Sequence, residues 1–246
     1  FMTFNVSLVA IDQIINSAAK MLAMSGGAYS VPIVFRGPTG NAGQLGATHS
    51  SNFENWFANT PGLKVIVPSN PYDAKGLLKS AIRDPDPVIF MESEVMYSDK
   101  GAVPEGEYLL PIGVADIKRK GTDVTVISFG KMMKVALEAA EEMAKQGVSC
   151  EVIDLRTVRP IDYATCVESL KKTNRVVVVE EANPIAGISS ELAYHFQRHA
   201  FDYLDSPVIR VNSMDIPLSY APSYIDVTIP NVSRTVEAIK KVMYKS

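Results

Sequence analysis

The sequence predicts an α/β protein built as two doubly wound domains. Three observations carry that expectation. Short, β-branched apolar runs alternate with amphipathic stretches of helical period. The first such run turns abruptly into a loop with glycines at 37, 40, 43 and 46, closing on His49. An aperiodic stretch over residues 92–111, with Gly101, Pro104, Gly106 and Pro111, divides the alternation in two.

In chain order, Leu8, Ile11, Ile14, Ile15, Ala18, Ala19 and Leu22 recur at helical spacing and predict a helix over 7–24, stopped by Gly26 and Gly27. It carries only Asp12 and Lys20 as charges, so much of its circumference is expected to be buried, against its own sheet or a partner subunit. Residues 31–35 read as a buried strand, 52–59 as a short aromatic helix, 63–67 as a strand, 72–83 as a helix favoured by Asp73 in its first turn, and 88–91 as a strand. The second alternation has strands at 123–129, 149–155, 175–180 and 208–211, and helices at 131–146, 163–171, 187–199 and 232–244. The expected division is a first domain over 1–95, a linker over 96–111, and a self-sufficient second domain over 112–246.

The 47% hydrophobic and 21% charged residues are those of a globular protein. A net charge of −3, with 7 basic and 10 acidic residues up to position 110 and 17 of each beyond, gives no basic footprint for nucleic acid and no polarised face for a membrane. No apolar run approaches the ~20 residues of a spanning helix. Cys150 and Cys166 lie in strand-like and helical apolar runs and read as buried thiols of a reducing compartment.

Glycine-rich backbone at the carboxyl end of a parallel strand is where α/β proteins place ligands, and His49 offers a proton donor or acceptor near neutral pH. By spacing alone a functional His49 and a satisfied polar contact are equally weighted. No phosphate-loop lysine and no dinucleotide fingerprint follow the glycines. Arg156 and Arg159 either bind an anion or pair with acids such as Asp162, the second being favoured. Glu180 and Glu181 are expected to cap the next helix or serve an interface. His195 and His199 have the i, i+4 spacing of a metal pair, with Glu191 the sole neighbouring third ligand; a solvated helix face is favoured. With a well-placed histidine but no nucleophile, a cofactor is expected to carry the chemistry.

The motifs M-T-F-N (2–5), A-I-D-Q-I-I-N-S-A-A-K (10–20), M-S-G-G (24–27), V-P-I-V-F-R-G-P (31–38), A-T-H-S (47–50), P-G-L-K-V (61–65), D-A-K-G-L-L (73–78) and D-L-R-T-V-R-P (154–160) together resemble one family across essentially the whole chain. It is the beta subunit of thiamine-diphosphate-dependent 2-oxo acid dehydrogenases, and among these oxidoreductases most specifically of pyruvate dehydrogenase. The resemblance implies a pyrimidine-binding domain, then a transketolase C-terminal-type domain, in an α2β2 heterotetramer. It implies that thiamine diphosphate is shared: the beta subunit holds the aminopyrimidine, and the alpha subunit holds the diphosphate through Mg2+. It further implies pyruvate decarboxylation, acetyl transfer to lipoyl groups, and docking on the dihydrolipoyl acyltransferase core, in a bacterial cytoplasm or a mitochondrial matrix.

By the same resemblance His49 is the active-site histidine, Met2 and Val6 lie beside the pyrimidine, and Ile33, Ala81, Ile82, Asp84 and Asp86 enclose a potassium ion, largely through backbone carbonyls. Departures qualify this. The family's catalytic glutamate precedes M-T-F-N, outside this sequence, and Glu54, Glu92 and Glu94 belong to other motifs. Val6 stands where an aromatic is common, Asp86 where asparagine is common, and A-N-P-I (182–185) where A-W-P is more usual. The expectation is an N-terminally truncated pyrimidine-binding domain and an isolated chain without activity. The alternatives are a branched-chain 2-oxo acid or acetoin dehydrogenase beta subunit, or a noncatalytic assembly fragment.

Overall fold

A computed structural model describes residues 1–245. Two sheets organise it. In the first, β1 (Val34–Pro38), β3 (Val88–Glu92) and β2 (Lys64–Ile66) lie parallel in that order. In the second the order is β4 (Asp116–Arg119), β6 (Cys150–Asp154), β5 (Val124–Ser128), β8 (Val176–Val179) and β9 (Ile209–Val211). All of these pair in parallel except the edge strand β4, which runs antiparallel to β6. The helices are α1 (Met21–Met24), α2 (Glu54–Ala58), α3 (Pro71–Arg83), α4 (Met132–Lys145), α5 (Tyr163–Thr173), α6 (Ile188–His199), α7 (Pro222–Thr228) and α8 (Val232–Val242). The inner strand β8, between β5 and β9, is four consecutive, fully buried valines, as a strand covered on both faces requires.

Three differences from the sequence-based expectation have physical reasons. The expected helix over 7–24 is a 3-10 helix (Phe4–Ala10), a π-helix (Gln13–Ala18) and the single turn of α1. Phe4, Ile14, Ala18 and Ala19 are buried there, but Leu8, Val9, Met21 and Leu22 are exposed, so the apolar circumference lacks the packing that would hold a regular helix. β4 and α7 were hidden by their polar or turn-rich composition. The second domain is also not self-sufficient. Strand β7 (Thr157–Arg159), which follows β6, pairs antiparallel with β2 and completes the first sheet. One apolar core accordingly runs through both halves, joining Phe4, Phe57, Val65 and Ile89 to Ile127, Ile153, Leu170 and Phe196.

Charged groups cross the same seam. Asp73, fully buried in the first turn of α3, accepts from Lys118 at 2.8 Å and Arg156 at 2.6 Å. Burial alone would raise its pKa, but those two cations hold it below the usual carboxylate value. Arg156 also reaches Asp116 at 2.9 Å, and Arg159 donates to the Ala58 carbonyl. Both arginines therefore hold structure, with partners other than the expected Asp162. That carboxylate instead caps α5 through Thr165 N–H and accepts from Ala115 N–H. Burial lifts Asp154 to about 6 even though Ser69 donates to it.

A second polar seam lies at the glycine loop. Glu181, 8% exposed, accepts the Asn41 backbone N–H at 2.7 Å and pairs with Lys131 at 2.7 Å. Lys131 also donates to the Asn41 carbonyl. Its neighbour Glu180 accepts from Ile188 N–H and Ser189 N–H and so caps α6. Both adjacent acids thus hold structure: Glu180 caps the helix, and Glu181 ties the loop to the second half of the same chain. Glu54, at the start of α2, is 3% exposed, and its Oε2 has no hydrogen-bond partner among the described residues. Burial, with the nearby Glu181 charge, pushes its pKa up to about 7.

This last group gives a pH prediction. A carboxyl bound near 7 in the fold and near its ordinary value when unfolded makes stability fall as pH rises from about 4.5 to about 7, by roughly 3 kcal/mol. Glu54→Gln removes that slope. The variant is expected to melt several degrees above the wild type at pH 8 and close to it at pH 5, measured by calorimetry. An equal difference at both pH values would contradict the assignment.

Candidate functional site

The site grows from β1. After Phe35 the strand continues through Arg36, Gly37 and Pro38 to the carboxyl edge of the sheet. There residues 1–3 fold across it, with the backbone nitrogen of Phe1 donating to the Arg36 carbonyl at 2.7 Å. A Cβ at Gly37 would sit 2.4 Å from the Phe1 carbonyl oxygen, so only glycine admits this crossing. Arg36 is held by Glu92 at the end of β3, at 2.5 Å, and Tyr97 donates to the same carboxylate.

The loop itself closes at its base. Gly40 N–H bonds the Ser51 carbonyl at 3.0 Å, and Thr39 Oγ1 accepts from Phe53 N–H at 3.3 Å. Gly40 has φ +71°, and a Cβ there would lie 2.6 Å from Glu181 Oε2. Inside the loop, Asn41 Oδ1 accepts from Gly43 N–H, and Gly46 accepts from both His49 N–H and the Ser50 hydroxyl. The short 3-10 helix Ala47–His49 packs on the N-terminal 3-10 helix. His49 is half-buried, and its Nδ1 lies 3.2 Å from Oγ1 of Thr3, a residue 4% exposed.

Around the imidazole the N-terminal segment presents apolar surface. Met2 is 75% exposed and Val6 42% exposed, on the strip that includes the His49 partner Thr3. The site is thus an exposed apolar strip beside one half-buried imidazole. It is distinct from a cleft of about 1480 Å³ lined by Ile11, Leu22, Trp56, Tyr163 and Tyr194 among others. A smaller cleft of about 310 Å³ lies behind the loop, between Ala47, Ser50, Glu181, Ser213 and Asp215. Neither is lined by His49.

The residues assigned to potassium by resemblance gather at the opposite, amino edge of the first sheet. Ala81, Ile82 and Asp84 form the last turn of α3, where helix carbonyls point outward, and Ile33 precedes β1. The Ile33 carbonyl accepts Val88 N–H and the Ala81 carbonyl accepts Asp84 N–H. Both carboxylates face Lys64, with Asp84 at 2.7 Å and Asp86 at 3.0 Å. Burial alone would lower the Lys64 pKa, but the two acids hold it above its ordinary value. The oxygen donors there suit a hard cation, and the carboxylates already have one in Lys64.

His195 stacks on Tyr163 with centroids 3.9 Å apart, beside His199 at 4.6 Å, and Tyr163 donates to Glu191. Burial and the neighbouring His199 lower the His195 pKa. Among the described residues no three His, Cys, Asp or Glu side chains converge on a metal position. Cys150 and Cys166 are free and buried, their thiols pushed up to about 11 and 12 by burial. No described helix is long and apolar enough to cross a membrane. Reading the residues singly missed Thr3, although M-T-F-N places a hydroxyl among apolar neighbours, and it missed the paired role of Glu181 and Lys131.

Comparison with known proteins places this geometry. The family model described as "Transketolase, pyrimidine binding domain" matches residues 1–100, and "Transketolase, C-terminal domain" matches 113–234. A solved structure titled "Split gene transketolase, inactive beta4 tetramer" superposes with a TM-score of 0.80 over 98% of this chain and 74% of its own, at 24% identity, which shows the shared fold. The chain is 50% identical over its whole length to "Pyruvate dehydrogenase E1 component subunit beta" of Rhizobium meliloti, spanning 54% of that protein. It is 48% identical to the mitochondrial beta-1 counterpart of Arabidopsis thaliana, spanning 69% of it, and 46% identical to that of Rickettsia felis, spanning 76%. The chain thus spans from about half to three quarters of these relatives. It belongs to the family of pyruvate dehydrogenase E1 component beta subunits.

Proposed function

We propose that this chain works as the beta component of pyruvate dehydrogenase. With an alpha subunit it decarboxylates pyruvate oxidatively on thiamine diphosphate and passes the acetyl group to lipoyl groups. The observation that carries this reading is the position of His49, half-buried at the carboxyl edge of a parallel sheet beside the outward-facing Met2 and Val6. The relatives from Rhizobium, Arabidopsis and Rickettsia all have pyruvate in their names, which favours pyruvate over a branched-chain 2-oxo acid or acetoin.

The residues fit one end of the cofactor. Met2 and Val6 offer the apolar surface an aminopyrimidine ring packs on, and the valine makes a smaller wall than an aromatic would. When bound, thiamine diphosphate supplies the carbanion-stabilising centre for decarboxylation. His49 supplies a hydrogen-bond donor toward developing negative charge on the substrate or the lipoyl sulfur. In this reading the diphosphate and its Mg2+ belong to the alpha subunit, in an α2β2 assembly, and the second domain docks the acyltransferase core. Support for a covering partner is the exposed apolar side chains Met2, Val6, Leu8 and Val9 on the N-terminal segment that packs on the His49 turn. The potassium ion is proposed to sit on the carbonyls of Ile33, Ala81 and Ile82, with Asp84 and Asp86 acting through Lys64 and their own backbone. The compartment in this reading is a bacterial cytoplasm or a mitochondrial matrix; the relatives include a Rhizobium protein and an Arabidopsis protein named mitochondrial.

Two measurements test the reading. The gene product carrying this sequence, co-expressed with an alpha subunit and supplied with thiamine diphosphate and Mg2+, is expected to release CO2 from pyruvate. His49→Ala should lower kcat by about 10²–10⁴ with the α2β2 assembly intact. An assembled complex with wild-type turnover after that substitution would overturn the role of His49. Replacing K+ by tetramethylammonium at constant ionic strength is expected to lower the melting temperature by several degrees. An unchanged melting curve would remove the ion from the reading.

A further inference from the structure

The bond between His49 and Thr3 determines more than the place of the ring. Thr3 is 4% exposed, and its hydroxyl has a single hydrogen-bond partner among the described residues, Nδ1 of His49 at 3.2 Å. The Thr3 backbone is occupied separately, its carbonyl accepting Val6 N–H. Two arrangements are open to such a pair. If Nδ1 carried the ring proton it would donate to Oγ1, and the hydroxyl proton of Thr3 would be left in a closed environment with nothing to meet. If Nδ1 is bare, the hydroxyl donates to its lone pair and both atoms are satisfied. Buried polar hydrogens are paired wherever a partner is within reach, so the second arrangement is selected.

The consequence falls on the other edge of the ring. A neutral imidazole with a bare Nδ1 carries its proton on Nε2. Among the described residues no hydrogen bond reaches Nε2, so that edge is free for a ligand. We propose that Thr3 is the positioning residue of His49: its buried hydroxyl, donating to Nδ1, fixes the tautomer whose Nε2–H serves as the donor of the site. His49 is then a donor in its neutral form, and needs no protonation of the ring to face a developing negative charge. Thr3 touches no reacting atom in this scheme; it acts through His49 alone. Its own place is set by the Phe1 crossing over Gly37 and by the burial of Phe4, which lock the backbone on either side of it.

The proposal rests on the reading of His49 as the group facing the substrate, but its test needs neither cofactor nor turnover. The chain has only three histidines, His49, His195 and His199, so a two-bond proton–nitrogen correlation of 15N-histidine-labelled protein separates them, with His49→Gln giving the assignment. At pH 8 the His49 signals are expected to show a proton on Nε2 and a bare Nδ1. In Thr3→Val, which keeps the shape and removes the hydroxyl, the ratio of the two tautomers should fall at least threefold. Thr3→Ser should restore it. In the assembled enzyme Thr3→Val should lower kcat with KM little changed, and Thr3→Ser should recover it. A proton found on Nδ1 in the wild type overturns the proposal, and does so even if Thr3→Val fails to fold. A tautomer ratio unmoved in a folded Thr3→Val overturns it equally. Loss of the pyruvate reading would show separately, as an assembled complex without CO2 release whose His49 keeps its tautomer.

Discussion

The buried pair of Lys131 and Glu181 is the contact on which the site depends. Both its members belong to the half built on the second sheet, and both bond the backbone of Asn41, in the loop that follows β1 of the first. Glu181 follows β8 and Lys131 immediately precedes α4, so the pair is mounted on an inner strand and the first helix of the second half. From there it grips the first arm of the loop that closes on His49. Removing one partner of such a pair leaves an uncompensated buried charge, a change of about 3–5 kcal/mol. Gly40 is part of the same joint: its missing side chain is what lets Glu181 come so close.

Other features follow from that joint. The loop is fixed at its base by Gly40 and Ser51 and on its returning arm by the bond between Thr3 and His49, so its glycines supply bends rather than freedom. Glu54 sits against the joint and holds its proton near neutral pH, chiefly because it is buried and further because of the Glu181 charge beside it. The Asp73 cluster with Lys118 and Arg156 works in parallel at the other end of the seam. With β7 donated to the first sheet and a single core through both halves, the two sheets form one mechanical body. A group presented on the first half can then be aligned by residues of the second.

Much of this was legible in the sequence, for identifiable reasons. β8 announces itself as four valines and α4 by its period and glycine stop. The loop is marked by spaced glycines at a strand end, where close backbone approach is needed. The irregular turns at the start were not legible, because a helical period shows which face is apolar but not whether anything covers it. β4 and β7 were missed because edge strands with alternating charge carry little hydrophobic signal. The Arg156 partners were missed because Asp73 and Asp116 are remote in sequence and near only in the fold. Nothing in the composition distinguishes the exposed Met2 from a core methionine; its meaning comes from the motif it belongs to.

The measurement that tests the central claim is amide hydrogen exchange across the loop in Lys131→Met compared with the wild type. If the joint holds the loop, the amides of Asn41 and Gly43 should exchange at least tenfold faster in the variant while those of β3 stay protected. Unchanged protection at Asn41 in a folded variant would contradict the dependence of the His49 loop on the second half.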